Sequence, residues 1–489
     1  VRWFAANSLL TGIFALLWLL VRSGPKPNRL AYPCQQAAVT TASLALGAPV
    51  VAALVTARNV VFRLLGSTRR VAAVGVGLFA TIGLWGVLSR TDATAVAPIH
   101  LTPPVDYRAE VFQVTDCPRD PVGDRFIGLD NLIQLMGREG LKLYRSADVT
   151  PTAGPAGIIA ANDVVVIKIN YQWAGCGGTN TDLLNGLIRA LVDHPDGFTG
   201  EIVVGENTQF ASSENFDRSV NNARDLGLSP LDVVAGFRGQ GWNVSVSDWR
   251  LIREFEVDEG LSCDHGWGYV VVSGGATGLH PSYPRLRTSY GTCVSLKHGV
   301  WNPDTERFDR DRLKVINLPV LKPHHAVYGV TAAVKNYMGV VTTELGTNSH
   351  NAVRGGLMGT VMAEIGMPDL TILDCIRVVG FPQYGPGVPC GAASQLDRLV
   401  ASTDPVALDM WATTNILVPE FLANGYPRPW GSPSPDPENP NSAFRVYLDS
   451  SMDELLARGF SVTNDLASID VHSWNGVPAP RRPGGRVGH

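Results

Sequence analysis

Apolar and polar positions change rhythm along this chain, and the changes divide it. Up to residue 89 the pattern is three long runs without a charge: Trp3–Val21 (19 residues), Leu30–Ala57 (28) and Val71–Ser89 (19). About 20 apolar residues at ~1.5 Å each span the hydrocarbon core of a bilayer. The pattern therefore predicts a transmembrane region over 1–89, with spans at about 3–21, 37–57 and 71–89. The middle run leans on Ala, Thr and Gly and contains Pro49, which also fits a re-entrant or interfacial segment. A cleaved signal peptide is the alternative for the first run, and the two apolar runs behind it argue against that.

Residues 90–106 read as a linker, with prolines at 98, 103 and 104. From 107 to about 420 short β-branched runs alternate with helical periodicity. Strands are expected at Glu110–Thr115, Asp163–Asn170, Glu201–Gly205, Asn243–Ser247, Lys314–Leu321, Leu370–Val379 and Arg398–Ala401. Helices are expected at Gly128–Glu139, Thr181–Asp193, from about Ala326, and from Pro405 to about Ile416. DVVVIKIN and EIVVG lack alternation, as strands covered on both faces do. The fold class that follows is α/β: a parallel or mixed sheet with helices on both faces, preceded by about three transmembrane helices. Between about 253 and 311 the rhythm breaks, which marks an insertion or β-rich subdomain. Residues 421–489 read as a C-terminal extension, its end (475–489) expected to be disordered.

Composition adds two points. Only 17% of the 489 residues are charged, and the net charge of −4 gives no nucleic-acid footprint. With three spans, Arg2, Arg58, Arg63, Arg69 and Arg70 share one side against Arg22, Lys26, Arg29 and Arg90 on the other. The positive-inside rule then places a multi-pass protein in the cell membrane with its large domain outside the cytoplasm. Of the seven cysteines, Cys34 lies in the membrane region. The other six fit disulfides in an oxidising compartment, with Cys375–Cys390 and Cys263–Cys293 preferred on proximity, or else buried free thiols. No CxxC, phosphate-loop or dinucleotide motif occurs, so no iron–sulfur or nucleotide cofactor is encoded and the cofactor stays unknown.

Candidate chemistry collects at three strand ends, where open α/β sheets bind ligands. The first carries Lys168 and Asn170, then Thr179 and Asn180. The second carries Glu206. The third is LPVLKPHHAVYGVTAAVKNYMGVV at 318–341, with Lys322, His324, His325, Thr331, Lys335 and Asn336. Thr331 and Lys335 lie four apart and would share a helix face. Three lysines suit an anionic ligand, and a histidine titrating near neutrality suits general acid–base work. A metal held by His324, His325, His350 and Asp374 or Asp404 is a further option, although adjacent histidines on an extended chain point to opposite faces. Asp404 reads as an N-cap, whereas Asp409 on an apolar helix stands out as a catalytic candidate.

At these residues the chain resembles a known family, the domain of unknown function 362. The resemblance is carried by Lys168-Ile169-Asn170 with Gly-Gly-Thr179-Asn180, by the 318–341 block, by His350, by PDLTILD at 368–374 and by STDPVALD at 402–409. It covers about residues 108–420, and RSGPKPNRLAYPCQQAA at 22–38 is similar to the membrane lead-in of a subset of that family. It implies an α/β domain without an established reaction. Some relatives carry ferredoxin-like iron–sulfur modules, whose cysteine runs are missing from this chain.

The reading that results is a membrane-anchored protein that binds or transforms a small anionic or metal-linked ligand. Lys322, His324, Lys335 and Asp409 are the catalytic candidates. Lys168, Asn170, Thr179, Asn180, Glu206, Thr331, Asn336 and His350 are the ligand-binding ones. The alternatives are a redox or electron-transfer accessory, and a non-catalytic subunit docked with partners in a membrane complex.

Overall fold

VVVIKI and EIVVGE sit side by side inside the main sheet, each with a strand on both sides, as their unbroken apolar character requires. The computed structural model describes residues 100–474, apart from 105, 119–122, 210–215, 274–277, 325–326 and 346–348. Its strands are β1 (Ala109–Val114), β2 (Val164–Ile169), β3 (Glu201–Glu206), β4 (Val244–Asp248), β5 (Leu313–Leu318), β6 (Lys322–His324), β7 (Gly329–Thr331), β8 (Leu370–Val378), β9 (Ser394–Ser402) and β10 (Ile469–Ser473). Eight of them form one sheet in the order β10-β1-β9-β8-β5-β2-β3-β4. All run parallel except β9, which is antiparallel to both its neighbours. The fold is thus α/β with a mixed sheet.

Side chains of β2 alternate between two cores. Val165, Ile167 and Ile169 face one, which is closed by α1 (Ile127–Arg138), α2 (Thr181–Val192) and α3 (Pro230–Gly239) through residues such as Leu132, Leu187 and Val233. Val164 and Val166 face the other. That side is covered by α4 (Ala333–Asn336), α5 (Leu357–Ile365), α6 (Pro405–Ala412) and α7 (Ala443–Ala457), with Val334, Met362, Leu408 and Phe444 in the core. Each fully buried Val or Leu contributes about 1.5–3 kcal/mol, so the two cores lock the strand register. A separate five-stranded antiparallel sheet between Gly268 and Asp309 packs on the second core through Tyr269, Tyr283 and Val294.

The connectivity creates a crevice. From β2 the chain passes through α2 to β3 and through α3 to β4 on one side, then returns to β5 on the other. Strand order reverses between β2 and β5, and ligands in open α/β sheets bind outside the carboxyl ends at such a point.

Three expectations are corrected. Among the described residues no helix is long and apolar enough to cross a membrane, so transmembrane helices form no part of the fold described. The longest described helix, α7, has 15 residues, or about 22 Å against a core of ~30 Å. The runs at 3–21, 37–57 and 71–89 lie outside the described residues, as does 475–489. Second, the segment expected to be helical from about Ala326 carries a strand where it is described, Gly329–Thr331: Lys322 pairs with Thr331 and His324 with Gly329, and the helix begins only at Ala333. Gly329 takes a left-handed φ of 77°, which ends any helical run. Thr331 and Lys335 therefore do not share a helix face. Third, Cys390 is bonded to Cys176, 214 positions away, while Cys375 is a buried free thiol. Cys263–Cys293 is bonded as expected.

Past residue 420, β10 pairs in parallel with β1 and adds an edge strand to the main sheet.

Candidate functional site

Alternation along β2 turns Lys168 to the same face as Val164 and Val166, under α4. There it is buried and donates to Glu206 Oε2 at the end of β3, to the Ile169 carbonyl (2.6 Å) and to Asn336 Oδ1 (3.3 Å). Burial pushes Glu206 up to about 7 and Lys168 down, and their mutual attraction opposes both shifts. No side chain fits at Gly339, where a Cβ would collide with this ion pair.

Asn336 is the hub of the crevice. Its Oδ1 accepts from Asn170 Nδ2 (3.0 Å), and its Nδ2 donates to Asn317 Oδ1 on β5 (2.7 Å). Asn170 Oδ1 in turn accepts from Lys322 Nζ (3.0 Å), which also donates to the Gly177 carbonyl. Thr179 ties the two diverging strands together: its Oγ1 accepts from the Asn170 amide (2.9 Å) and donates to the Leu318 carbonyl (2.8 Å). The antiparallel hairpin β6–β7 brings His324 Nδ1 within 2.7 Å of Thr331 Oγ1.

Asp409 reaches from α6 to the start of α4. Its two oxygens accept from the backbone amides of Ala333 (2.6 Å) and Val334 (3.0 Å). Burial raises its pKa to about 8, against the pull of those two amides. It fixes the helix that carries Lys335 and Asn336, and it is not among the residues lining the cleft. Asn180 is likewise architectural, capping α2 through the Leu183 amide (3.1 Å) and donating its own amide to Asp374 Oδ2 (2.8 Å).

The cleft is lined by Asn170, Gln172, Trp173, Glu206, Lys322, His324, Thr331, Lys335, Asn336, Met338, Gly339 and Pro386. Its volume is about 30 Å³, where one water needs roughly 10–15 Å³, so it admits a small group or the end of a larger one. Trp173, 41% exposed, marks the side that meets solvent.

Lys335 is buried with its Nζ 4.5 Å from the centre of the Tyr328 ring. Burial first, then the charge of Lys168, lowers its pKa to about 7. Lys322 is lowered to about 7 as well, by burial and then by its lysine neighbours, with Glu206 opposing. Burial, Lys335 and Lys322 hold the His324 imidazole neutral. His350 is half-buried and lowered to about 4 by burial and Lys335, but it does not line the cleft.

Seven of the residues singled out from sequence line the cleft: Asn170, Glu206, Lys322, His324, Thr331, Lys335 and Asn336. Lys168 lies directly behind it. Among the described residues the candidate metal ligands are not brought together. Asp374 accepts from the amides of Asn180 and Ile376, Asp404 caps α6 through the amides of Val406 and Ala407, and His325 lies outside the described residues. Among the described residues no group of three or more His, Cys, Asp or Glu could hold a metal ion. Sequence reasoning missed Asn317, an asparagine inside the apolar run KVINLPVL, where a buried polar residue is itself a signal. It also missed Trp173 and Met338, which carry none.

No curated protein and no solved structure matches the chain. Residues 311–414, the segment from β5 to α6, match a family model described as "Domain of unknown function (DUF362)"; Lys322, His324, Lys335 and Asp409 lie within that segment.

Proposed function

We propose that the crevice at the carboxyl ends of β2 and β5 binds a small oxyanion, such as the carboxylate end of a metabolite. One observation carries this reading. Lys322 and Lys335 are both buried in the cleft; Glu206, the acid that lines it with them, is already paired with Lys168, and Asp374, which also acts on Lys322, is bonded to the amides of Asn180 and Ile376. Among the described residues neither lysine has an ion-pair partner of its own. A buried ammonium without a counter-charge is costly, and an incoming anion supplies that charge. Asn170, Asn336 and Thr331 add neutral hydrogen-bonding groups around it, and Asn336 is already fixed by Asn317.

The chemistry open to such a site is binding and orientation of an anionic group, with His324 as a neutral imidazole able to take or give one proton. Calorimetric titration of the full-length protein with formate, acetate and oxalate tests the reading. Binding is expected in the wild type and is lost in Lys322→Ala and in Lys335→Ala, both checked for native circular dichroism. Wild-type affinity in both variants would remove the assignment.

A further inference from the structure

The three lysines of the crevice are not equivalent. Lys168 is locked by Glu206, the Ile169 carbonyl and Asn336. Lys322 donates to Asn170 Oδ1 and the Gly177 carbonyl, which leaves one of an ammonium's three N–H groups for a ligand. Lys335 has no hydrogen-bond acceptor among the described residues; its neighbour is the face of Tyr328. It lines the cleft, and Asp409 fixes the helix that carries it.

We propose that Lys335 is a nucleophilic amine that forms a Schiff base with the carbonyl carbon of a small 2-oxo acid whose carboxylate is held by Lys322. The inference rests on the anion-binding reading above and names the ligand class for it. An ammonium that donates no hydrogen bond has nothing to hold its extra proton, so the neutral amine with its free lone pair is favoured, and a desolvated lysine beside other cations is the arrangement that activates this nucleophile. Its lowered pKa of about 7 agrees with that. At a pH of about 7.5 roughly three-quarters of such amines are neutral, against about one in a thousand for an ordinary lysine. Both hydrophobic and polar walls are present, Trp173 and Met338 against Asn170 and Asn336.

The step balances without a further reagent. The Lys335 Nζ lone pair forms the C–N bond, and the carbonyl π pair moves to oxygen, which takes a proton. The nitrogen gives up that proton and then its second one, which passes by the same route to the hydroxyl; the protonated hydroxyl leaves as water as the C=N bond closes. His324, neutral and held by Thr331 on the same cleft wall, relays the proton from nitrogen to oxygen. The small volume selects compact acids, of which glyoxylate and pyruvate are the simplest.

The test treats full-length protein with glyoxylate, and separately with pyruvate, in the presence of cyanoborohydride, which reduces imines to stable amines. Peptide mass mapping is expected to find one adduct per chain at Lys335, formed at least about ten-fold faster than at the average surface lysine. Excess oxalate, which cannot form an imine, suppresses it. Lys335→Arg, which has no amine able to form an imine, abolishes the adduct. If oxalate binds the wild type but Lys335 is modified no faster than surface lysines, the Schiff-base inference is overturned and the anion site stands. If neither binding nor a Lys335 adduct occurs, both are overturned.

Discussion

The two ends of the same sheet make a useful contrast. At the amino ends of β2, β3 and β4 lies a cavity of about 570 Å³, lined by Val164, Gly200, Glu201 and Asn243 and closed by Tyr290, Cys293 and Trp301 of the five-stranded insert. At the carboxyl ends lies a cleft of about 30 Å³. The roomy end has one buried charged side chain in its lining, Glu201, and its Arg287 is exposed. The cramped end has Lys322, Lys335 and Glu206 buried in its walls and Lys168 behind them. Space and chemistry have parted. Burying charge is the more expensive arrangement, so the cleft that contains it is the better guide to function.

The contrast can be broken from its most expensive interaction downward. Lys168→Ala strands the Glu206 carboxylate in the interior. The expected loss is about 3–5 kcal/mol in urea unfolding, as for other buried pairs broken on one side. A loss under about 1 kcal/mol would show that the crevice is wetter than the geometry requires.

Lys335→Met acts with the opposite sign. The amine's pKa falls from 10.5 unfolded to about 7 folded, so between those values the unfolded chain binds more protons and wild-type stability rises with pH. The cost of the lysine is full below about pH 7 and shrinks above it. The methionine variant is therefore expected to be more stable than wild type, by roughly 2–3 kcal/mol more at about pH 6 than at about pH 9. Thermal unfolding at the two pH values measures it, and a pH-independent difference would contradict the burial of a charged amine.

A smaller effect is expected at Asp409→Ala, which leaves the amides of Ala333 and Val334 without acceptors. The cost is about 2 kcal/mol, with weakened anion affinity because α4 carries Lys335. Intact affinity would detach α4 from the site. Smallest is Arg287→Ala at the opposite cavity, where a stack on Trp267 at 5.1 Å contributes about 0.5–1 kcal/mol. Anion affinity should not change; if it does, the larger cavity takes part in binding.

Much of the crevice was legible because its lysines interrupt runs that should be apolar: Lys168 within VVVIKI, Lys322 after INLPVL and Lys335 within TAAVKN. The central strands were legible because continuous β-branched runs have few other uses in a globular domain. What hid was non-local. AVYGVTAAV satisfies helical periodicity, and only the left-handed Gly329 and pairing with Lys322–His324 decide for a hairpin. Asp409 stood out as a polar residue on an apolar helix, yet its partners are amides 75 and 76 positions away. Cys176–Cys390 joins positions 214 apart, so proximity in sequence chose the wrong partner. β10 is a short edge strand whose place depends on β1, more than 350 residues earlier, and IDVHS alone does not reveal it.

The central claim is that two buried lysines, poised near neutral pH, receive an anion. Binding of a negative charge beside Lys322 and Lys335 favours their protonated forms, so association must take up protons above about pH 7, and affinity must fall as the pH rises further. Oxalate titration of the full-length protein at about pH 7.5, in two buffers of different ionisation enthalpy, counts those protons directly. The account expects a net uptake of between about one and one and a half protons per anion bound. Binding without proton uptake, or no binding at all, would contradict it.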